Sequence, residues 1–266
     1  MISHWPGLSL PERVWNVVRR WALAWWRILY LGAVVLVLVL SPSSYVRGTR
    51  RALARHLYLD TAPVLIGFTV LAALISLVLT RIVVVTALSY GLSRYALEMV
   101  IRVLVLELIP LTAALFVAMR CTIPNGTQLA LLRQSGRFEQ LRRLGADPVR
   151  VELLPRAVAG VFACITLAAL SCVVALVLAY LGVYGFSLAG LPSYTRMFGQ
   201  VFAPAVTLVF VIKTLLFSLA VALIPMAAGL YDTGERAQPD SELGGLARMF
   251  AVLLLIEVGS LVGNYY

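Results

Sequence analysis

Residues 61 to 80 read TAPVLIGFTVLAALISLVLT, twenty positions without a charge. At 1.5 Å per residue that is a helix of about 30 Å, the depth of a bilayer's hydrocarbon core. Outward from it the pattern repeats. Residues 157 to 195 hold no charged side chain, and 197 to 231 hold one, Lys213. With 61% hydrophobic residues and a mean hydropathy of +0.94 over 266 positions, the chain reads as an all-α polytopic membrane protein. It has no room for a second soluble domain of ordinary size.

Five spans are expected, at about 58–80, 96–120, 153–181, 203–229 and 247–263. Arg81, Gly91 and Arg94 mark the first outer connection, and Gly182, Gly185, Gly190, Pro192 and Arg196 the second. Residues 121–152 are polar and basic, and 231–246 form a polar loop with Pro and Gly breakers. Ahead of the spans, Trp15, Trp21, Trp25 and Trp26 lie among Arg13, Arg19, Arg20 and Arg27, the make-up of a helix lying in the interface. The apolar run Ile28–Leu40 is thirteen residues, about 20 Å as helix and short of a full crossing. Arginines flank it on both sides (Arg47, Arg50, Arg51 and Arg55 follow), against the positive-inside bias. Residues 11 to 40 therefore read as an elbow that dips into one leaflet and returns. The alternative is a true span through Trp21–Leu40. Residues 1–57 form this N-terminal region and 58–266 the transmembrane domain. No cleavable signal peptide is expected, since no small-residue cleavage motif follows the apolar run.

Net charge is +10, with 22 basic residues against 12 acids. All the basic residues but Lys213 are arginine, and only Arg81, Arg94, Arg102 and Arg196 fall toward the expected outer side. That bias puts the N-terminus in the cytoplasm and the C-terminus outside, where Tyr265 and Tyr266 suit an aromatic belt. No basic run interleaves with aromatics on a soluble face, so the charge reports orientation and anionic headgroups, not nucleic acid. Cys121, Cys164 and Cys172 show no C-x-x-C spacing and are read as small apolar packing residues; no metal site is expected. His4 and His56 fall outside the long apolar runs, where headgroup or solvent exposure is the expectation.

Ionisable groups at mid-membrane cost about 2.5–3.5 kcal/mol on insertion scales, so each needs a partner, a cavity or a task. Glu107 lies in VLVLELIPL, three positions before Pro110, which removes a helix hydrogen bond. Lys213 lies in VFVIKTLLF, Glu257 in LLLIEVGSL, and Arg102 a turn and a residue before Glu107. They either pair helices together or line a polar path for a headgroup, and the two readings overlap. Glu98 and Arg102, spaced i,i+4, suit an ordinary intrahelical pair.

Between 129 and 150, Leu129, Leu132, Phe138, Leu141 and Leu144 recur at helical spacing among Arg133, Arg137, Arg142 and Arg143. Gly145 and Asp147-Pro148 stop the helix. A basic amphipathic helix on anionic lipid and a docking helix for a cytoplasmic partner fit that periodicity equally. No P-loop motif occurs, and neither H-E-x-x-H nor G-x-S-x-G appears. No catalytic residue and no cofactor are therefore expected in this chain.

Taken together, the chain resembles the MlaE/YrbE family of ABC-transporter permeases over about residues 48–264. The marks are Glu107-Leu108-x-Pro110, Arg120, Gly145-x-Asp147-Pro148 with Pro155-Arg156, Lys213, Tyr231-Asp232 and Glu257. The resemblance implies an elbow helix, five spans and a cytoplasmic coupling helix at about 125–147. It implies a second copy of the permease or a related one, a separate ABC ATPase that binds the ATP, and a periplasmic MCE-domain protein. The cargo it implies is phospholipid or related lipid, moved between the bacterial inner membrane and the envelope. Arg102, Glu107, Pro110, Lys213 and Glu257 are then the candidate pathway residues. Arg120, Arg133, Arg137, Phe138, Leu141, Arg142, Asp147 and Pro148 are the candidates for ATPase coupling. The chain departs from the family at Cys121–Gly126 and at Gln128, Ala130 and Gly136-Arg137, where two acids are missing. That departure favours the rival expectation, a non-conducting scaffold that anchors a soluble partner. A small ion-driven secondary transporter is disfavoured by the missing internal repeat.

Overall fold

A computed structural model describes residues 10–41, 47–91, 93–231 and 239–265, all of them helix or short connection. His4, Asp232 and Tyr266 lie outside the described residues, as does the 232–238 part of the expected polar loop. Among the described residues, six helical stretches are long and apolar enough to cross a membrane: Trp21–Leu40, Arg50–Ser89, Tyr95–Gln134, Val149–Tyr184, Pro204–Tyr231 and Gly244–Asn264. The protein is a multi-pass membrane protein.

Helix α1 (Leu10–Leu40) is unbroken over 31 residues, about 46 Å at helical rise. The return expected within residues 11–40 does not occur, because the run Ile28–Leu40 contains no residue that could turn the chain apart from Gly32, which packs against Leu223. Helix α2 (Arg47–Ser89) runs 43 residues, straight through positions 57 and 58. The connection expected at Arg81 is displaced as well. Arg81 lies inside α2, since one arginine with a long apolar stem leaves helical hydrogen bonding intact. The chain turns at Gly91, another of the residues expected to mark this connection, whose φ of +71° favours glycine.

The next rod is continuous: α3 (Ser93–Val100), a π-helical stretch (Ile101–Leu108), α4 (Ile109–Val117), a second π-helical stretch (Ala118–Thr122) and α5 (Ile123–Gln134). Gly136, at φ +75°, breaks the expected 125–147 helix in two, so α6 (Arg137–Arg143) folds back as the second arm of a hairpin. A third π-helical stretch (Val149–Leu153) opens α7 (Leu154–Tyr184). Helix α8 (Leu191–Val201) lies where only a Gly- and Pro-rich connection was expected. Pro192 does not prevent it, because in a first helical turn its missing N–H has no intrahelical partner to lose. Tyr194 fixes α8 to α7 by donating its hydroxyl to the Leu176 carbonyl at 2.9 Å, and burial pushes that phenol up to about 12. Helices α9 (Pro204–Tyr231) and α10 (Pro239–Tyr265) complete the chain.

Small residues let these helices approach closely. The buried side of α7 is mostly alanine, glycine, serine and cysteine, from Ala157 to Ala179. A Cβ added at Gly182 would lie 2.8 Å from Thr80 Cγ2 of α2. All three cysteines are free and buried in these seams, as the sequence suggested.

Buried side chains fall into three layers. The middle one holds Phe68, Val117, Leu167, Phe217 and Leu253, from five helices. One end layer gathers α3, α7 and α8 around Leu97, Leu104 and Val201. The other joins α1 to the α5–α6 hairpin and to the adjoining ends of α7 and α9, through Leu31, Val35, Leu129, Phe138, Leu154 and Met226. Leu31 and Val35, midway along the apolar run of α1, thus sit at the hairpin end of the bundle.

Candidate functional site: a buried charge cluster above a basic hairpin

Lys213 is 2% exposed, and its ammonium lies between two carboxylates. Glu107 comes from the first π-helical stretch and Glu257 from α10. Lys213 Nζ donates to Glu107 Oε2 and is 2.9 Å from Glu257 Oε2. Three helical rods with no other reason to carry charge inside an apolar bundle are thereby joined at one atom. The two acids are less enclosed than the lysine, with side chains 13% and 14% exposed against 1%.

Pro110 explains a further contact. In an α-helix the N–H of residue 110 would bond the carbonyl of residue 106, and in a π-helix that of residue 105. Proline has no N–H to give either. A side-chain donor lies at each of the two candidate carbonyls: Lys213 Nζ reaches Leu106 O at 3.2 Å, and Cys172 Sγ lies 3.7 Å from Val105 O. Pro110 stands in the first turn of α4, just after the π-helical stretch, and the Leu106 carbonyl gives the lysine a third oxygen.

Two members of the cluster escaped the sequence reading. Asn264 Nδ2 donates to Glu107 Oε1 at 3.4 Å, and the Phe217 ring centroid lies 5.7 Å from Lys213 Nζ. Asn264 stands seven residues after Glu257 and Phe217 four after Lys213, so helical spacing puts each on the face of its charged neighbour. Arg102 is engaged elsewhere: its Nε lies 3.0 Å from Glu98 Oε1 one turn back, with side chains about a third exposed. Glu107, Lys213 and Glu257 are brought together; Arg102 is not joined to them.

The hairpin presents a different surface. Arg133, Arg137, Arg142 and Arg143 are exposed, as is Arg120 in the π-helical stretch just before α5, and Leu131 and Leu144 stand out among them at 58% and 78%. Phe138 and Leu141, two of the candidates for ATPase coupling, are buried at 9% and 6%. Of the apolar stripe that suggested docking, Leu129, Leu132 and Phe138 join a cluster with residues of this chain's own α1, α7 and α9, while Leu144 stays exposed. Asp147 and Pro148 serve locally. Asp147 Oδ1 accepts from the Val149 N–H at 3.0 Å, and buried Pro148 precedes the next helical turn. Arg133 donates to the Leu230 carbonyl at the end of α9.

A second polar group, unforeseen apart from Arg156, joins α2, α5 and α7 near the hairpin. Asn125 Nδ2 donates to Asp60 Oδ2 at 3.0 Å, and Cys121 Sγ lies 3.1 Å from the Asp60 carbonyl. Arg156, 7% exposed, is held by Glu152 through its carboxylate at 2.9 Å and its carbonyl at 2.7 Å. No cluster of metal-ligating side chains occurs among the described residues.

Membrane-length helices closed around a buried ionic cluster, with a basic hairpin at one end, define an all-α multi-pass membrane protein. The family described as Permease MlaE matches residues 53–260, most of the chain, and the protein belongs to that family of membrane permeases. Helix α1 lies ahead of the matched region. No curated protein matches the chain.

Proposed function

We propose that this permease is the membrane subunit of an ABC transporter that moves phospholipids or related lipids between the bacterial inner membrane and the envelope. A separate ATPase drives it through the α5–α6 hairpin. The observation that supports this most is an exposed arginine face on a hairpin that continues the rod holding Glu107 and packs against α9, which holds Lys213. Hydrolysis of ATP falls to the partner, and this chain supplies the moving walls. A second permease copy, identical or related, would close the lipid cavity, and an MCE-domain protein would receive or deliver the lipid on the periplasmic face.

In this reading the hairpin and the N-terminus are cytoplasmic. Helix α1 acts as an unbroken amphipathic helix, resting on the cytoplasmic end layer by Leu31 and Val35 and exposing Trp15, Trp21 and Trp26 toward headgroups. Glu107, Lys213 and Glu257 hold three rods together until the hairpin moves, then part to admit a polar headgroup. Arg120, Arg137, Arg142 and Arg143 meet acidic residues of the ATPase, while Phe138 and Leu141 support the hairpin from behind.

Gentle solubilisation and capture of the chain from native membranes tests this reading. Recovery of a P-loop ATPase that crosslinks to cysteines placed at Arg142 or Arg143 is the expected result. Recovery of the chain with neither an ATPase nor an MCE-domain protein refutes it. A scaffold is the second reading, favoured by the loss of two acids from the coupling region; it expects a captured soluble partner with no ATPase.

A further inference from the structure

At residues 125 and 126 the hairpin is fastened to two membrane helices at once. A Cβ on Gly126 would lie 2.6 Å from the Pro225 carbonyl oxygen, and one on Gly229 would lie 2.1 Å from the Gly126 carbonyl oxygen. Neither distance is compatible with a side chain, so α5 and α9 touch backbone to backbone. Two turns further along α5, Arg133 donates to the Leu230 carbonyl, and the contact therefore has two points and resists rotation. Asn125, 5% exposed, carries the tie to Asp60 on α2.

Helix α9 also carries Lys213. From Pro225 back to Lys213 is twelve residues, about 18 Å of helix. Pro225 is the weak place on that path, since it leaves the Val221 carbonyl without its helical partner. Gly126 packs on Pro225 itself, where α9 would otherwise bend most easily. Close-packed interiors transmit displacement with little loss, and a contact without side chains has no rotamers to absorb it.

We propose that Asp60, Asn125, Gly126 and Gly229 are positioning residues that make α5 and α9 move as one body, so that displacement of the hairpin reaches Lys213. This rests on the coupled-transport reading above.

The test measures ATP hydrolysis and ATP-dependent lipid transfer by the reconstituted complex and takes their ratio. Gly229→Ala, which forces the helices apart, and Asn125→Asp, which sets two carboxylates face to face, are expected to cut lipid moved per ATP by about tenfold, within the ~5–150-fold range usual for coupling between sites. Hydrolysis itself should stay within about twofold of the unaltered complex. The exchange Asn125→Asp with Asp60→Asn restores the pair in reverse and should restore the ratio. It adds no bulk, so it decides the matter even if Gly229→Ala fails to assemble. An unchanged ratio in Asn125→Asp, or no recovery in the exchange, overturns the inference while leaving the transport reading standing. An unaltered complex that hydrolyses ATP without moving lipid overturns both.

Discussion

Replacing Lys213 by methionine removes the one cation that Glu107 and Glu257 share. The ammonium is 1% exposed and has three oxygen partners: Glu107 Oε2, Glu257 Oε2 at 2.9 Å and Leu106 O at 3.2 Å. Removing one partner of a buried ion pair costs about 3–5 kcal/mol, because the other charge stays behind without compensation. The residual exposure of both carboxylates, 13% and 14%, lets water reach them. That places the expected loss near the lower bound, about 3 kcal/mol, or roughly 150-fold in the unfolding equilibrium. Reversible unfolding in mixed micelles, titrated with a denaturing detergent, measures it. A second variant isolates the cause: adding Glu107→Gln and Glu257→Gln to Lys213→Met removes both orphaned charges and should regain most of the loss. If Lys213→Met stays within about 0.5 kcal/mol of the unaltered protein, or the triple variant is no better than the single one, the cluster does not hold the three rods together.

Two other arginine–glutamate pairs give a contrast within the same assay. Arg156→Ala strands Glu152 in a site where the arginine side chain is 8% exposed, and should cost about 3 kcal/mol. Arg102→Ala breaks a pair whose side chains are 30% and 36% exposed, and after screening by solvent should cost no more than about 0.5 kcal/mol; equal losses from both would show that burial does not set the value. Gly182→Val drives a branched side chain toward Thr80 and should lower stability by about 1–3 kcal/mol through overpacking, with no change expected if the helices can separate freely. Cys121, Cys164 and Cys172 are buried at 3%, 0% and 7%. They should resist a membrane-impermeant maleimide in the folded protein and react once it is unfolded; native-state labelling of Cys164 or Cys172 contradicts the packing of α7, and of Cys121 the packing of the second π-helical stretch on α2.

Charges in long apolar runs were the most legible part of the chain. Glu107, Lys213 and Glu257 stood out because hydrocarbon leaves an ionised group no indifferent position, and the structure joins all three. Their neighbours were harder to see. Asn264 and Phe217 are common at positions with no special role, and only a known charged residue at helical spacing makes them noticeable. The α5–α6 stripe carried a different ambiguity. Regular spacing of Phe138 and Leu141 shows that something covers them, but it does not say whether the cover is a partner or the chain itself. The α8 helix was hidden because Gly190 and Pro192 break helices in mid-course yet are tolerated at a start. Gly126 and Gly229 lie 103 positions apart in sequence, and no local pattern announces that two backbones will meet.

Lipid movement itself is the most direct measurement. The permease, reconstituted with its ATPase into sealed vesicles carrying fluorescent phospholipid, should pass that lipid to an acceptor only while ATP is hydrolysed, and should stop when Glu107 and Lys213 are both replaced by alanine. Vesicles that hydrolyse ATP through the complex yet keep their lipid, or that release it equally without ATP, contradict a transporting role for this chain.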